Sequence, residues 1–242
     1  MADVQPLRAL HFDQAVAGPL ADLVAPPYDV IDPVQRAALS ARSPYNVVAI
    51  DLPESPDPYE RAAGLFARWC ESGVLVRDEE PALWVLEQRY DGPDGAARTR
   101  RGFFARVRVE EYGPGRIRPH ERTHPGPRED RLRLTRATGA NLSPIFSLYS
   151  DPDGAAIAAL AAATDAPPWG EVTDAEGTLH RIWRAGEPAA IAAAVDALAN
   201  RELLIADGHH RYETSRVYAE EIGGEGDHRY VLMCLVAIED PG

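Results

Sequence analysis

Residues 203–218, LLIADGHHRYETSRVY, read as a buried strand that runs into a helix with almost no loop between them. At the junction stand Asp207, Gly208, His209, His210 and Arg211. The start of a helix carries backbone N–H groups with no intrahelical acceptor, and the helix dipole adds partial positive charge there. Such a junction favours an anion, and a phosphate is the obvious guest. Gly208 lets the backbone approach a ligand closely, and Arg211 offers a planar fork of donors. His209 and His210 add donors or metal ligands, while Asp207 can hold an imidazole or a magnesium ion. Consecutive residues on a helix do not share a face, so these groups act together only at its mouth. The competing reading has Asp207 capping the helix and the His-His-Arg run solvated on the first turn.

The rest of the chain limits the chemistry available to that junction. Its 242 residues are enough for one large domain or two small ones, and 45% hydrophobic with 26% charged residues is the balance of a globular protein. No apolar run approaches the roughly 20 residues of a membrane span, and MADVQPLRALHFDQ lacks the basic start and apolar stretch of a secretory signal. A cytoplasmic location and no membrane partner are expected. Cys70 and Cys234 are the only cysteines, which excludes a disulfide framework or a cysteine-rich zinc site. A net charge of −13 argues against a nucleic-acid surface. All 25 basic residues are arginine. Walker A loops, protein-kinase folds and pyridoxal phosphate enzymes depend on a lysine, so none of them is available in its usual form. Phosphate handling must use arginine, histidine, backbone amides or a metal.

Along the chain, Asp32 and Pro33 read as the N-cap and first residue of a short helix. NVVAIDL (46–52) reads as a buried strand, and DPYERAAGLFARWCESG (57–73) as an amphipathic helix stopped by Gly73. Residues 82–112 look like a hairpin, LHRIWR like a strand, and 188–199 like a helix. RYVLMCLVAIEDPG reads as a fully buried strand so near the last residue that a missing C-terminal portion is expected. Both cysteines are expected in the core, and His11, His180 and His228 on the surface or in packing roles.

The texture changes at GPGRIRPHERTHPGPREDR (113–131), a polar, proline-rich stretch expected to form a loop of the kind where function sits. Glu121 is a candidate general base, which the surrounding arginines would keep ionised. HERTH matches the zinc-protease spacing H-E-x-x-H, but that pattern needs a helix, and Pro119, Pro125 and Gly126 argue against one. In VAPPYDVI, two prolines could aim Tyr28 and Asp29, or simply make a turn; Asn141 and Ser143 of TGANLSPIF are similarly open.

APPYDVI, PHERTHPGPREDRLRLTRATGANLSPIF and IADGHHRYETSRVYAEE together resemble the DUF1015 family over essentially the whole chain. Members of that family usually continue beyond the last strand seen here. IADGHHRYETS is also similar to the strand–turn–helix signature of the ParB/sulfiredoxin-like superfamily, whose free-serine kinases carry an upstream Pro-His-Glu segment and a nearly identical Asp-Gly-His-His-Arg turn. That resemblance implies that Glu121, with His120 beside it, is the carboxylate that activates the serine hydroxyl. It implies that Asp207, Gly208, His209, His210 and Arg211 surround the nucleotide phosphates. Here the two motifs lie much further apart than in those kinases.

The reading that follows is an α+β fold with a mixed sheet. A ParB/sulfiredoxin-like strand–turn–helix core with an insertion would lie in 113–242, and an additional N-terminal α/β region in 1–112. The expected activity is transfer of phosphate from a nucleotide, ATP or ADP, with Mg2+, to a small hydroxylated metabolite, free L-serine first. His120 and Glu121 would act in catalysis, with Arg118, Arg122, Thr123, Arg128 and Asp29 as substrate contacts. A nucleotide-binding regulatory module with little turnover and a metal-dependent phosphatase are the alternatives.

Overall fold

The computed structural model describes residues 2–112, 115–120 and 125–242, and only the backbone of 125–128. The chain opens with β1 (Val4–Gln5), β2 (Leu10–Phe12) and two one-turn helices, α1 (Gln14–Ala17) and α2 (Leu20–Leu23). The helices α3 (Pro33–Arg42), α4 (Val48–Asp51) and α5 (Pro58–Glu71) follow, then β3 (Leu75–Arg77), β4 (Leu83–Asp91), β5 (Ala97–Arg108) and β6 (Ile117–Arg118). The second half runs α6 (Pro125–Thr138), β7 (Ile145–Tyr149), α7 (Ala155–Ala159), β8 (Gly170–Thr173), β9 (Leu179–Ala185), α8 (Pro188–Leu198), β10 (Leu203–Asp207), α9 (His209–Ile222) and β11 (Tyr230–Ala237).

The architecture is mixed α+β. One sheet has the order β6-β10-β7-β11-β5-β4-β9-β8, with β1 also paired to β5, and β2 and β3 form a separate pair. β6 is parallel to β10 and β7 to β11, while the other pairs of the large sheet are antiparallel. This sheet draws strands from both the 1–112 and the 113–242 segments. Because side chains alternate along a strand, Phe103, Ala105 and Val107 share one face with their partners Leu235, Met233 and Val231. All six are fully buried, and they join Ala156, Leu160, Ala194 and Leu198 of the α7–α8 region in the main core. A second core gathers Leu20, Leu23, Ile50, Trp69, Val74 and Leu75 from the N-terminal helices and β3.

Asp32 caps α3 by accepting the Gln35 N–H at 2.7 Å, with Pro33 next to it in the first turn, as the sequence indicates. α5, the β4–β5 hairpin, α8 and the β10–α9 junction also form where their periodicity and turn residues place them. Three expectations are corrected. NVVAIDL folds as the one-turn helix α4, with Asn46 holding its start: the Asn46 side chain accepts the Val48 N–H at 3.0 Å and donates to the Asp22 and Val24 carbonyls. PGPRED belongs to α6, for which Pro125 serves as a first-turn residue that needs no N–H partner. Cys70 is exposed, since the buried face of α5 is carried by Ala62 and Trp69; Cys234 is buried as expected.

Candidate functional site

The junction at β10 and α9 is built by one glycine and one irregularity. Gly208 has φ +95°, a left-handed conformation, and a Cβ there would lie 3.1 Å from the Arg211 guanidinium carbon and 3.3 Å from Ile145 Cα. Both the backbone twist and the close approach therefore require glycine. The pairing of β10 with β7 slips between Ile205 and Asp207, so Asp207 faces Phe146 at the end of the ladder. α9 starts with the Tyr212 N–H donating to the Gly208 carbonyl at 2.9 Å, and no side chain among the described residues caps it. Asp207 is thus not the helix cap. It pairs instead with Arg211, which also donates to the Pro144 carbonyl.

The two motifs singled out in the sequence meet here. Where β6 stops pairing with β10, His120 continues the contact: its Nδ1 donates to the Ile205 carbonyl at 2.7 Å. The His120 backbone N–H donates to His209 Nε2 at 3.2 Å, which puts the proton of a neutral His209 on Nδ1. The two imidazoles stand edge to face with centroids 4.4 Å apart. His209 is buried, whereas His120 is exposed and His210 is half-buried on the first turn of α9.

Beside this junction lies a recess of about 40 Å³, lined by Tyr28, Asp51, Arg131, Ser143, Arg211 and Thr214 among others. That volume admits a water or one small functional group. Arg131, buried on α6, donates to the Asp51 carbonyl at 2.8 Å and to its carboxylate at 3.2 Å. It also makes two bonds to the Asp130 carboxylate at 2.6 and 2.8 Å, and its guanidinium carbon stands 4.1 Å from the centre of the Tyr28 ring. The Ser143 hydroxyl donates to the other Asp51 oxygen at 2.8 Å. Burial raises the Asp51 carboxyl above its ordinary range, against the pull of Arg131, Ser143 and Arg211. Burial likewise raises the Tyr28 phenol, with Arg131 opposing.

Of the substrate contacts expected from sequence, Arg118 makes an ion pair with Glu202 at 2.6 Å on the strand edge, and Asp29 is exposed on the turn that carries Tyr28. Glu121, Arg122, Thr123 and His124 lie outside the described residues, as does the side chain of Arg128. Asp51 and Arg131 were missed by sequence reasoning. The one signal available was an acidic residue closing the apolar run NVVAIDL, a poor fit to a strand buried on both faces.

A family model described as "Protein of unknown function (DUF1015)" matches residues 4–242. The chain belongs to the DUF1015 family. No curated protein and no solved structure matches it. The match covers nearly all of the DUF1015 chain, so the APPYDVI, PHERTH and DGHHR segments all lie within the family region.

Proposed function

We propose that this protein is a phosphotransferase that moves the terminal phosphoryl group of a nucleotide, ATP or ADP, to a small hydroxylated metabolite, free L-serine first. The observation that supports it is the meeting of His120 and His209, which joins the PHERT segment to the mouth of α9 across 89 residues of sequence. The start of α9 at Gly208 suits the donor's phosphates, and Arg211 stands within its first turn. Glu121, which follows His120 in sequence, is assigned the role of base, in line with the resemblance to ParB/sulfiredoxin-like free-serine kinases. The serine hydroxyl oxygen bonds to the terminal phosphorus while the bond from that phosphorus to the bridging oxygen breaks. The hydroxyl proton passes to Glu121, and the shortened nucleotide leaves with the bridging oxygen.

Among the described residues, no three His, Cys, Asp or Glu side chains form a metal-binding group. The ion expected with the nucleotide is Mg2+, which is commonly held by substrate phosphates with one or two carboxylates. Asp207, exposed at the end of β10 and paired with Arg211, is the carboxylate we assign to it. When bound, the ion would offset charge on the phosphates.

The test is incubation of the purified protein with serine, Mg2+ and either nucleotide, followed by mass detection of phosphoserine. The expected result is phosphoserine that is lost in Glu121→Gln while nucleotide binding persists. Binding with no phosphorylated product across a panel of hydroxylated metabolites would make the protein a regulatory module. Release of inorganic phosphate alone would make it a phosphatase.

A further inference from the structure

The recess at α9 borders a much larger space. A groove of about 1220 Å³ runs between the sheet and the N-terminal layer, and it shares Thr135, Ala140, Asn141, Leu142 and Ser215 with the recess. Its floor comes from the sheet face opposite the main core: Trp84 is paired with Phe104, and Leu232 with Arg106, in the alternate register. Its walls include Phe12, Phe66, Trp169 and Tyr218, all half-buried. Trp84, Trp169 and His11 brace one another with ring centroids 5.1 to 5.4 Å apart and ring planes inclined by 55 to 89°, which makes one wall aromatic.

The groove also carries arginines and one exposed amide. Arg106 is paired with Asp227 at 2.8 Å, while Arg8 and Arg77 donate to the backbone carbonyls of Asp78 and Arg8 at 2.9 and 3.4 Å and keep their charge. Between recess and groove stands Asn141, which lines both and is exposed, and whose amide makes no side-chain hydrogen bond among the described residues. An amide presents a donor and an acceptor side by side, which matches the edge of a purine base. Free serine is far too small to require such a space, whereas a nucleoside falls in the size range of ligands held by clefts of several hundred Å³.

We infer that the groove is the nucleoside subsite of the phosphate donor, with the base against the aromatic wall, Asn141 at its edge, and the phosphates directed along the α9 side of the groove, towards Arg211. This rests on the phosphotransferase reading above. It assigns a positioning role to residues remote from the transferred phosphate: Asn141, Trp169 and Tyr218.

The experiment compares ATP with inorganic tripolyphosphate, both with Mg2+, by calorimetry and by tryptophan fluorescence on the intact protein. ATP is expected to bind at least about tenfold tighter than tripolyphosphate, the scale of one base stacked on an aromatic surface. ATP alone should change the fluorescence, because two of the four tryptophans line the groove. Asn141→Ala and Tyr218→Ala, both at solvent-accessible positions, should each weaken ATP several-fold and leave tripolyphosphate unchanged. Equal affinity for the two ligands, or ATP binding indifferent to both variants, overturns the subsite while leaving a phosphate site at α9 intact. If neither ligand binds, the phosphotransferase reading itself fails.

Discussion

Replacing Arg131 by Met removes one partner of a buried pair and leaves the other in place. In the native protein the guanidinium is 7% exposed and the Asp51 carboxylate 11% exposed, so neither charge is well solvated. The variant keeps the length of the side chain against Tyr28 but strands Asp51 with the Ser143 hydroxyl as its remaining side-chain donor among the described residues. Breaking a buried pair in this way costs about 3–5 kcal/mol, well above the ~0–1 kcal/mol of an exposed one. Two controls separate this cause from a simple loss of packing. In Arg131→Met/Asp51→Asn the stranded charge is gone, so a large part of the loss should return. The second control is pH. Burial raises the folded-state pKa of Asp51, so its ionised form costs stability as pH rises through that value, and removing Arg131 raises it further. Below the ordinary carboxylate range the group is neutral in both folded and unfolded chains, and the charge penalty vanishes. The loss in Arg131→Met should therefore be largest near neutral pH and shrink as the solution is acidified. Urea unfolding at a series of pH values measures it. A loss under about 1 kcal/mol at neutral pH, or one that neither acid nor Asp51→Asn relieves, would refute the argument.

Other outcomes follow from the same structure. Gly208→Ala places a Cβ at φ +95° against Arg211 and Ile145, and should cost about 1–3 kcal/mol, read as a lower urea midpoint at unchanged slope. It should also weaken nucleotide binding by displacing Arg211. Ellman's reagent should modify one thiol in the folded protein, Cys70, and the second only on unfolding. Burial pushes the Cys234 thiol up to about 12 and raises Cys70 as well, so Cys70 should react slowly at neutral pH and faster as pH rises.

What the sequence made legible was local. The strand–glycine–helix junction, the Asp32–Pro33 start of α3 and the β4–β5 hairpin each rest on neighbouring residues, and each formed where expected. NVVAIDL misled because a short apolar run rich in β-branched residues suits a strand or a buried turn of helix equally. Asn46, by satisfying backbone groups of residues 22 and 24, tips that segment into α4. The pairing of Asp51 with Arg131 spans 80 residues and has no periodic signature, so only the folded chain reveals it. His120 and His209 were both chosen from sequence, yet their contact was not foreseeable from either motif alone.

The position of β11 bears on how the protein is made. This strand lies between β7 and β5 in the middle of the sheet, although it follows all the others along the chain. During synthesis β5 and β7 must therefore wait, each with an open edge, until residues 230–237 have cleared the ribosome. Open edges beside apolar faces are templates for pairing with other nascent chains. The gap between β5 and β7 thus stays open until β11 arrives, and a chaperone that shelters it would be most useful in that interval.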